Sequence, residues 1–219
     1  MKDEIKHRMT RRLNGWDYCQ RAIYMITITL ADRTREWLGK LILAKNGEAR
    51  NRGAVAAHSC AAIPATSGGA CIKPTPFGEA VIEALMEMLR LFPQVQIIEK
   101  QLMPEHFHFI IFVREPLPKP LGALIRGFKA GAAKRWKNGA ARSNGAVAAQ
   151  ECAAFPAWAE GFQDTILFRD GQLKAMIAYL RDNPRRLAEK RAEPDLFRRV
   201  ARIALPLHGE RMTGHFEAI

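Results

Sequence analysis

Several kinds of residue are scarce in this chain, and each scarcity excludes a class of protein. Only 4 of the 219 residues are cysteine, and they show no paired spacing, so we expect neither a disulfide framework nor a cysteine zinc site. No apolar run approaches the roughly 20 residues that cross a bilayer, so we expect no membrane-spanning segment. Acidic residues are also few, with 22 against 34 lysines and arginines.

The resulting formal net charge of +12 is typical of a protein with a polyanionic partner. Apolar residues make up 48% of the chain, which is enough for the core of one domain of ordinary size. The first eight residues are mostly charged and no apolar stretch follows them, unlike a secretory signal. We therefore expect a cytoplasmic protein.

An apolar run with two histidines one residue apart is the most informative stretch. It spans residues 103–113 and reads MPEHFHFIIFV. In a strand, His106 and His108 point to one face of the sheet, while the alternate residues from Phe107 to Val113 point into a core on the other. Two neutral imidazoles on one face are half of a divalent-metal site. Such a pair alone is more often only a half-buried polar strand face, so further groups are needed.

A later segment offers a third ligand and a reactive group. Residues 170–184 read DGQLKAMIAYLRDNP, which predicts a helix with Asp170 as N-cap and Pro184 as its end. Tyr179 and Asn183 are four residues apart and so share one helix face. The Asn183 oxygen could complete a metal site, and the Tyr179 hydroxyl beside it could attack a phosphodiester whose oxygen the metal polarises.

In this order, the motifs resemble those of the single-tyrosine HUH transposases, and among them the REP-associated tyrosine transposases. In that family a Met-Pro-x-His-hydrophobic-His strand carries two metal ligands, and a later helix carries the nucleophilic tyrosine in a Tyr-x-x-x-Asn-Pro context. The matching residues here are 103–108 and 179–184. The similarity spans roughly residues 20–200, with two interruptions.

The resemblance implies an enzyme that nicks single-stranded DNA at palindromic hairpin elements and transfers the strand through a covalent 5′-phosphotyrosine. It makes Tyr179 the nucleophile and places Mg²⁺ or Mn²⁺ on His106, His108 and Asn183, without a nucleotide cofactor. The partner would be single-stranded or hairpin DNA, and no membrane is involved. The protein would be a monomer or homodimer in the cytoplasm, associated with the nucleoid.

Several alternatives stay open at this point. Tyr18 and Tyr24 are rival phenols, although neither has a polar partner one helical turn further on. Tyr179 alone is typical of a surface aromatic, and Asn183 alone of a helix C-cap. The whole protein could instead be a catalytically inactive DNA-hairpin-binding protein derived from a transposase, or a basic RNA-binding protein with structural histidines.

The element order predicts the fold class. Strands are expected at residues 23–30, 95–102, 106–113 and 165–168, and helices after Pro76, at about 118–136 and around Tyr179. This order predicts an α+β protein with a ferredoxin-like antiparallel sheet (split βαβ), helices on one face and an added C-terminal tyrosine-bearing helix. Residues 1–184 would form a single HUH-type domain, followed by a basic C-terminal extension at 185–219.

Two loop insertions are expected in that domain, near residues 44–73 and 138–160. Each contains one of two near copies of an Ala- and Gly-rich segment, at residues 50–65 and 142–157. Surface loops tolerate such insertions because closure entropy grows slowly with length. Our hypothesis is that a repeated DNA element inserted twice in frame, so that neither segment contributes to function. The rival hypothesis is that the two segments form a pair of loops that bind DNA.

Basic side chains near these motifs are predicted to contact phosphates. They are Arg126, Lys129, Lys134 and Arg135 on the second helix, and Arg181, Arg185 and Arg186 around the tyrosine motif. For any one of them a solvated helix face is the competing explanation. Single-stranded DNA also needs aromatic stacking platforms, for which Trp16, Trp37, Trp136 and Trp158 are available.

Overall fold

A computed structural model describes residues 13–43, 69–142 and 158–194, with side chains to residue 139 in the second range. The strands in these ranges are β1 (Ala22–Thr29), β2 (Gly39–Leu43), β3 (Ala70–Pro74), β4 (Val95–Leu102), β5 (His106–Val113) and β6 (Gln163–Ile166). The helices are α1 (Pro76–Leu91), α2 (Leu121–Arg142) and α3 (Gln172–Ala192). The protein is therefore of the predicted α+β class.

The main sheet has four strands in the order β4-β5-β1-β6, and every neighbouring pair is antiparallel. Alternation along the two central strands sends Tyr24, Ile26 and Ile28 of β1 to the same face as Phe107 and Phe109 of β5, and all five are fully buried. The predicted core side of the histidine strand is thus confirmed. The strands β2 and β3 form a separate antiparallel hairpin.

Helices α1 and α2 cover this apolar face. The Phe128 ring of α2 lies 6.4 Å from the Phe107 ring and 5.8 Å from the Phe109 ring. Helix α1 begins where the sequence predicts, because Thr75 caps it by accepting a hydrogen bond from the Gly78 amide at 3.1 Å. Gly78 is needed there, since a Cβ at this position would lie 1.9 Å from the Leu38 carbonyl oxygen.

Helix α3 lies on the other face of the sheet, beside the histidines. Its Tyr179 ring contacts the His108 ring, and Arg181 donates to Glu99 of β4 at 2.7 Å. A bulge between Ile97 and Glu99 pairs Glu99 with Ile110, so that its side chain points to the face that α3 covers. Of the helices in the described ranges, two therefore pack on one face of the sheet and one on the other.

The prediction that Pro184 ends the tyrosine helix was wrong. Helix α3 continues through Pro184 to Ala192. A proline inside a helix costs about 3 kcal/mol because it removes a hydrogen bond and crowds the preceding turn. Burial of the apolar side chains of Leu180 and Pro184 offsets that cost. Arg185 also spans the turn by pairing with Asp182 before it and Glu189 after it.

The start of α3 also differs from the prediction. Asp170 is not the N-cap, because that position belongs to Gly171, which has a φ of 76° and makes no side-chain capping bond. The left-handed φ is one that glycine adopts without strain. The loop before it is held instead by Gln172, whose side-chain oxygen accepts from the Phe168 and Arg169 amides at 3.0 and 3.2 Å.

Other boundaries agree or shift by small amounts. Strand β4 has the predicted bounds, β6 begins two residues earlier than predicted, and α2 reaches Arg142. The β2–β3 hairpin was not predicted, and its strand β3 lies at the end of the first expected insertion. The repeated segments at 50–65 and 142–157 fall outside the described residues, apart from Arg142 at the end of α2. None of the described helices has the length and apolar character to cross a membrane.

Candidate functional site

The two histidines of β5 lie side by side on the face that α3 covers. Their ring centroids are 4.5 Å apart in an edge-to-face arrangement. Across the strand pair, β1 places Thr29 opposite His106 and Thr27 opposite His108. The sheet therefore brings both imidazoles and two threonine side chains to one surface, as strand alternation requires.

The two imidazoles differ in their surroundings. His108 is only 6% exposed, and burial, together with the neighbouring His106, lowers the pKa of His108 to about 3. It is therefore neutral at physiological pH, which is the form that binds a metal ion. His106 is more exposed, and its Nδ1 lies 3.6 Å from a carboxylate oxygen of Glu105. Hydrogen bonding with His106 lowers the pKa of Glu105.

Tyr179 of α3 packs against one of the two histidines, His108. The centroid of its ring lies 6.1 Å from that of His108, and 37% of the residue surface is exposed. The guanidinium carbon of Arg186 lies 5.3 Å from the centroid of the same ring. The phenol is thus packed between an imidazole and a guanidinium and still open to a ligand from solvent.

Asn183 lies one turn beyond Tyr179 and is buried, with 9% of its surface exposed. Its amide nitrogen has no hydrogen-bond partner among the described residues. A buried polar atom without a partner costs about 1–3 kcal/mol, so a bound water or ligand at this position would stabilise the fold. Turning the amide by half a rotation would place its oxygen at that position, where a cation would satisfy it.

By donor type, two imidazole nitrogens and one amide oxygen are a mixture that divalent ions such as Mn²⁺ accept. Within the described ranges, no three or more His, Cys, Asp or Glu side chains cluster as a metal site. The candidate set contains only two such residues, because its third member is the amide of Asn183.

The basic residues of α2 do not lie at this site. Helix α2 packs on the opposite face of the sheet, as the contacts of Phe128 show. Lys129 donates to the backbone oxygens of Ala159 and Gly161, which fixes the segment before β6. Arg135 lies 3.7 Å from Glu83 and 3.6 Å from Glu87 of α1. The remaining two predicted phosphate contacts on this helix, Arg126 and Lys134, are exposed.

The three arginines of α3 predicted to bind phosphate differ in their partners. Arg181 pairs with Glu99, and Arg185 pairs with Asp182 and Glu189. Arg186 contacts the Tyr179 ring and forms no ion pair within the described part of the chain. Of the predicted phosphate-binding arginines, Arg186 is therefore the one that lies at the phenol and makes no ion pair in these ranges, although its charge interacts with that of Asp182.

The predicted tryptophan platforms are largely structural. All four pack, partly buried, against the core. The indole of Trp16 donates to the Tyr24 hydroxyl at 3.1 Å, and that of Trp158 donates to the Lys129 carbonyl at 3.2 Å.

The hydroxyl oxygen of Thr27 lies within hydrogen-bond distance of Nδ1 of His108. This contact could not be predicted from the sequence, because cross-strand pairing follows from register and not from local pattern.

Comparison with known proteins finds similar solved structures but gives no family assignment. No protein-family model matches the chain, and neither does any curated protein sequence. A solved structure of a REP-associated tyrosine transposase bound to a REP hairpin is similar over 95% of this chain and 98% of the other. The sequence identity is 15% and the TM-score 0.49, a level at which no function carries over from one protein to another.

Proposed function

We propose that this protein is a metal-dependent transposase-type nuclease that nicks and rejoins single-stranded DNA at hairpin elements through a covalent phosphotyrosine. The observation that carries the proposal is the contact between Tyr179 and His108, whose ring centroids are 6.1 Å apart. These residues are far apart in the chain, yet folding packs the sequence-predicted nucleophile against a sequence-predicted ligand.

The strand connectivity supports the same proposal. The chain passes through β1, α1, β4, β5, α2 and β6, while the strands lie in the order β4-β5-β1-β6. Each crossover helix thus joins two strands that have a third strand between them, which is the pattern of a split βαβ unit. We therefore propose a ferredoxin-like sheet with α3 added on its free face.

The chemistry follows from the residues around the phenol. The Tyr179 oxygen would attack the scissile phosphorus, forming a bond to the 5′ phosphate as the bond to the 3′ oxygen breaks. The phenol proton is lost to solvent, and the departing 3′ oxygen gains a proton. A 3′-hydroxyl that attacks the phosphotyrosine reverses these changes and reseals a strand. The exposed side of the Tyr179 ring leaves room for the DNA backbone.

Three side chains would hold the cation that this reaction requires. His106, His108 and Asn183 would bind Mg²⁺ or Mn²⁺, which would polarise a non-bridging phosphate oxygen when bound. Burial keeps His108 neutral through its lowered pKa, so its ligating nitrogen is available without proton loss at neutral pH.

The function is tested by offering a DNA hairpin with a single-stranded flank and an RNA of the same sequence, each with Mn²⁺ and with a chelator. We expect cleavage and a covalent adduct only with DNA and Mn²⁺. DNA binding without cleavage under any condition would favour the inactive hairpin-binding protein. Preference for the RNA, without cleavage, would favour an RNA-binding protein with structural histidines.

Arg186 should support the reaction by contacting the phosphate beside Tyr179. We expect Arg186→Gln to slow adduct formation about 10- to 100-fold, as loss of one charged hydrogen bond would. The rate is measured in single turnover with saturating protein and Mn²⁺. The matched control is Lys174→Gln, which removes one exposed charge from the same helix. Equal slowing by both variants would mean that only overall charge matters.

A further inference from the structure

The side chain of Thr27 makes a contact that the proposed chemistry does not yet use. Its hydroxyl oxygen lies 2.8 Å from Nδ1 of His108, the residue opposite it on β5. Threonine is branched at Cβ and has few rotamers, and both strands lie in the centre of the sheet. The hydroxyl is therefore held against one particular nitrogen of the ring.

This contact decides which ring nitrogen can serve as a ligand. A neutral imidazole carries its hydrogen on one nitrogen and a lone pair on the other. Thr27 occupies the Nδ1 side, so only Nε2 is left for a cation. Ligating histidines commonly donate their second N–H to a neighbouring oxygen, which fixes the tautomer and the ring orientation.

We infer that Thr27 is a positioning residue, which accepts a hydrogen bond from Nδ1–H of His108 and so keeps the Nε2 lone pair directed at the cation site beside Tyr179. The inference rests on the proposed function for the identity of the cation site. The hydrogen bond and the tautomer of His108 do not depend on that proposal. Thr27 would thus support a proposed ligand from strand β1, which contributes no proposed ligand itself.

Strand β1 contains its own control. Thr29 lies on the same face, two residues further on, opposite His106. Among the described residues its side chain makes no hydrogen bond to that imidazole, whose Nδ1 faces Glu105 instead. Thr27→Val and Thr29→Val therefore make the same chemical change on one strand, and only the first removes a hydroxyl that contacts a proposed ligand.

Two measurements test the inference. Mn²⁺ titration followed by electron paramagnetic resonance should show about 10- to 100-fold weaker binding in Thr27→Val, the range found for groups behind metal ligands. Thr27→Ser should restore the affinity, and Thr29→Val should leave it unchanged. Independently, nitrogen-15 NMR of the metal-free wild type at neutral pH should show His108 with its hydrogen on Nδ1, and a mixture of tautomers in Thr27→Val.

Either measurement can overturn the inference. A wild type with the hydrogen of His108 on Nε2 would contradict it, as would an unchanged Mn²⁺ affinity in Thr27→Val. Failure of the serine variant to restore binding would assign Thr27 a packing role only. If the wild type binds no Mn²⁺ at all, the proposed function fails, and the tautomer of the wild-type ring still decides the role of Thr27.

Discussion

Tyr179→Phe is expected to abolish the covalent adduct between protein and hairpin DNA, lowering its rate of formation at least about 10³-fold, because the variant lacks the proposed nucleophile. The substitution removes one oxygen and keeps the ring. The contacts of that ring with His108 and Arg186 therefore remain, and DNA binding should stay within about twofold. Adducts are counted on a denaturing gel with a labelled hairpin oligonucleotide and Mn²⁺.

The chain contains only two other tyrosines, so the control can be complete. Tyr24 is fully buried on the face of the sheet away from the histidines, and Tyr18 stacks on it at 5.9 Å. Tyr18→Phe and Tyr24→Phe each lose one hydrogen bond of a buried phenol, which costs about 1 kcal/mol of stability. Both should form adducts at the wild-type rate. An adduct formed by Tyr179→Phe, or lost in Tyr24→Phe, would refute the assignment of the nucleophile.

Replacement of the imidazoles should have the second large effect. His106→Ala and His108→Ala are each expected to weaken Mn²⁺ binding at least about 100-fold, because each removes one of the three proposed protein ligands. Adduct formation should fall by a similar factor at limiting Mn²⁺, since the proposed role of the cation is to stabilise the charge that develops on the phosphate. Isothermal titration measures the affinity, and single-turnover cleavage measures the rate.

His106→Ala is the more informative of the two variants. His106 is partly exposed, whereas His108 is buried, so its removal leaves less of a cavity in the fold. His58→Ala removes the same type of residue from the first repeated segment, and it should leave affinity and rate unchanged. Mn²⁺-dependent cleavage that survives in a His106→Ala/His108→Ala double variant would show that the imidazoles are not the ligands.

Much of the fold could be predicted from local patterns in the sequence. The alternation of apolar and polar residues in β5 predicted which side chains enter the core, and Phe107 and Phe109 are fully buried as expected. The start of α1 was equally readable, because Thr75 and Pro76 form a local capping signal. Both signals work because a strand or a helix end depends on residues within a few positions of each other.

The point at which α3 ends could not be predicted in this way. The local rule for a residue before proline predicts an end at Asn183, but tertiary burial of Leu180 and Pro184 outweighs it. The same continuation keeps Arg186 in the helix and places it against Tyr179. Part of the candidate site thus exists because long-range packing overrides a local preference.

Residue type and spacing were enough to single out His106, His108, Tyr179 and Asn183 and to predict the sheet face on which the imidazoles lie. Periodicity cannot report what packs across a strand pair or which face of a sheet a helix covers. Only the folded chain sets Thr27 against His108, and only it separates the basic residues of α2 from those of α3. Such contacts depend on strand register and on the packing of distant segments, which no short stretch of sequence contains.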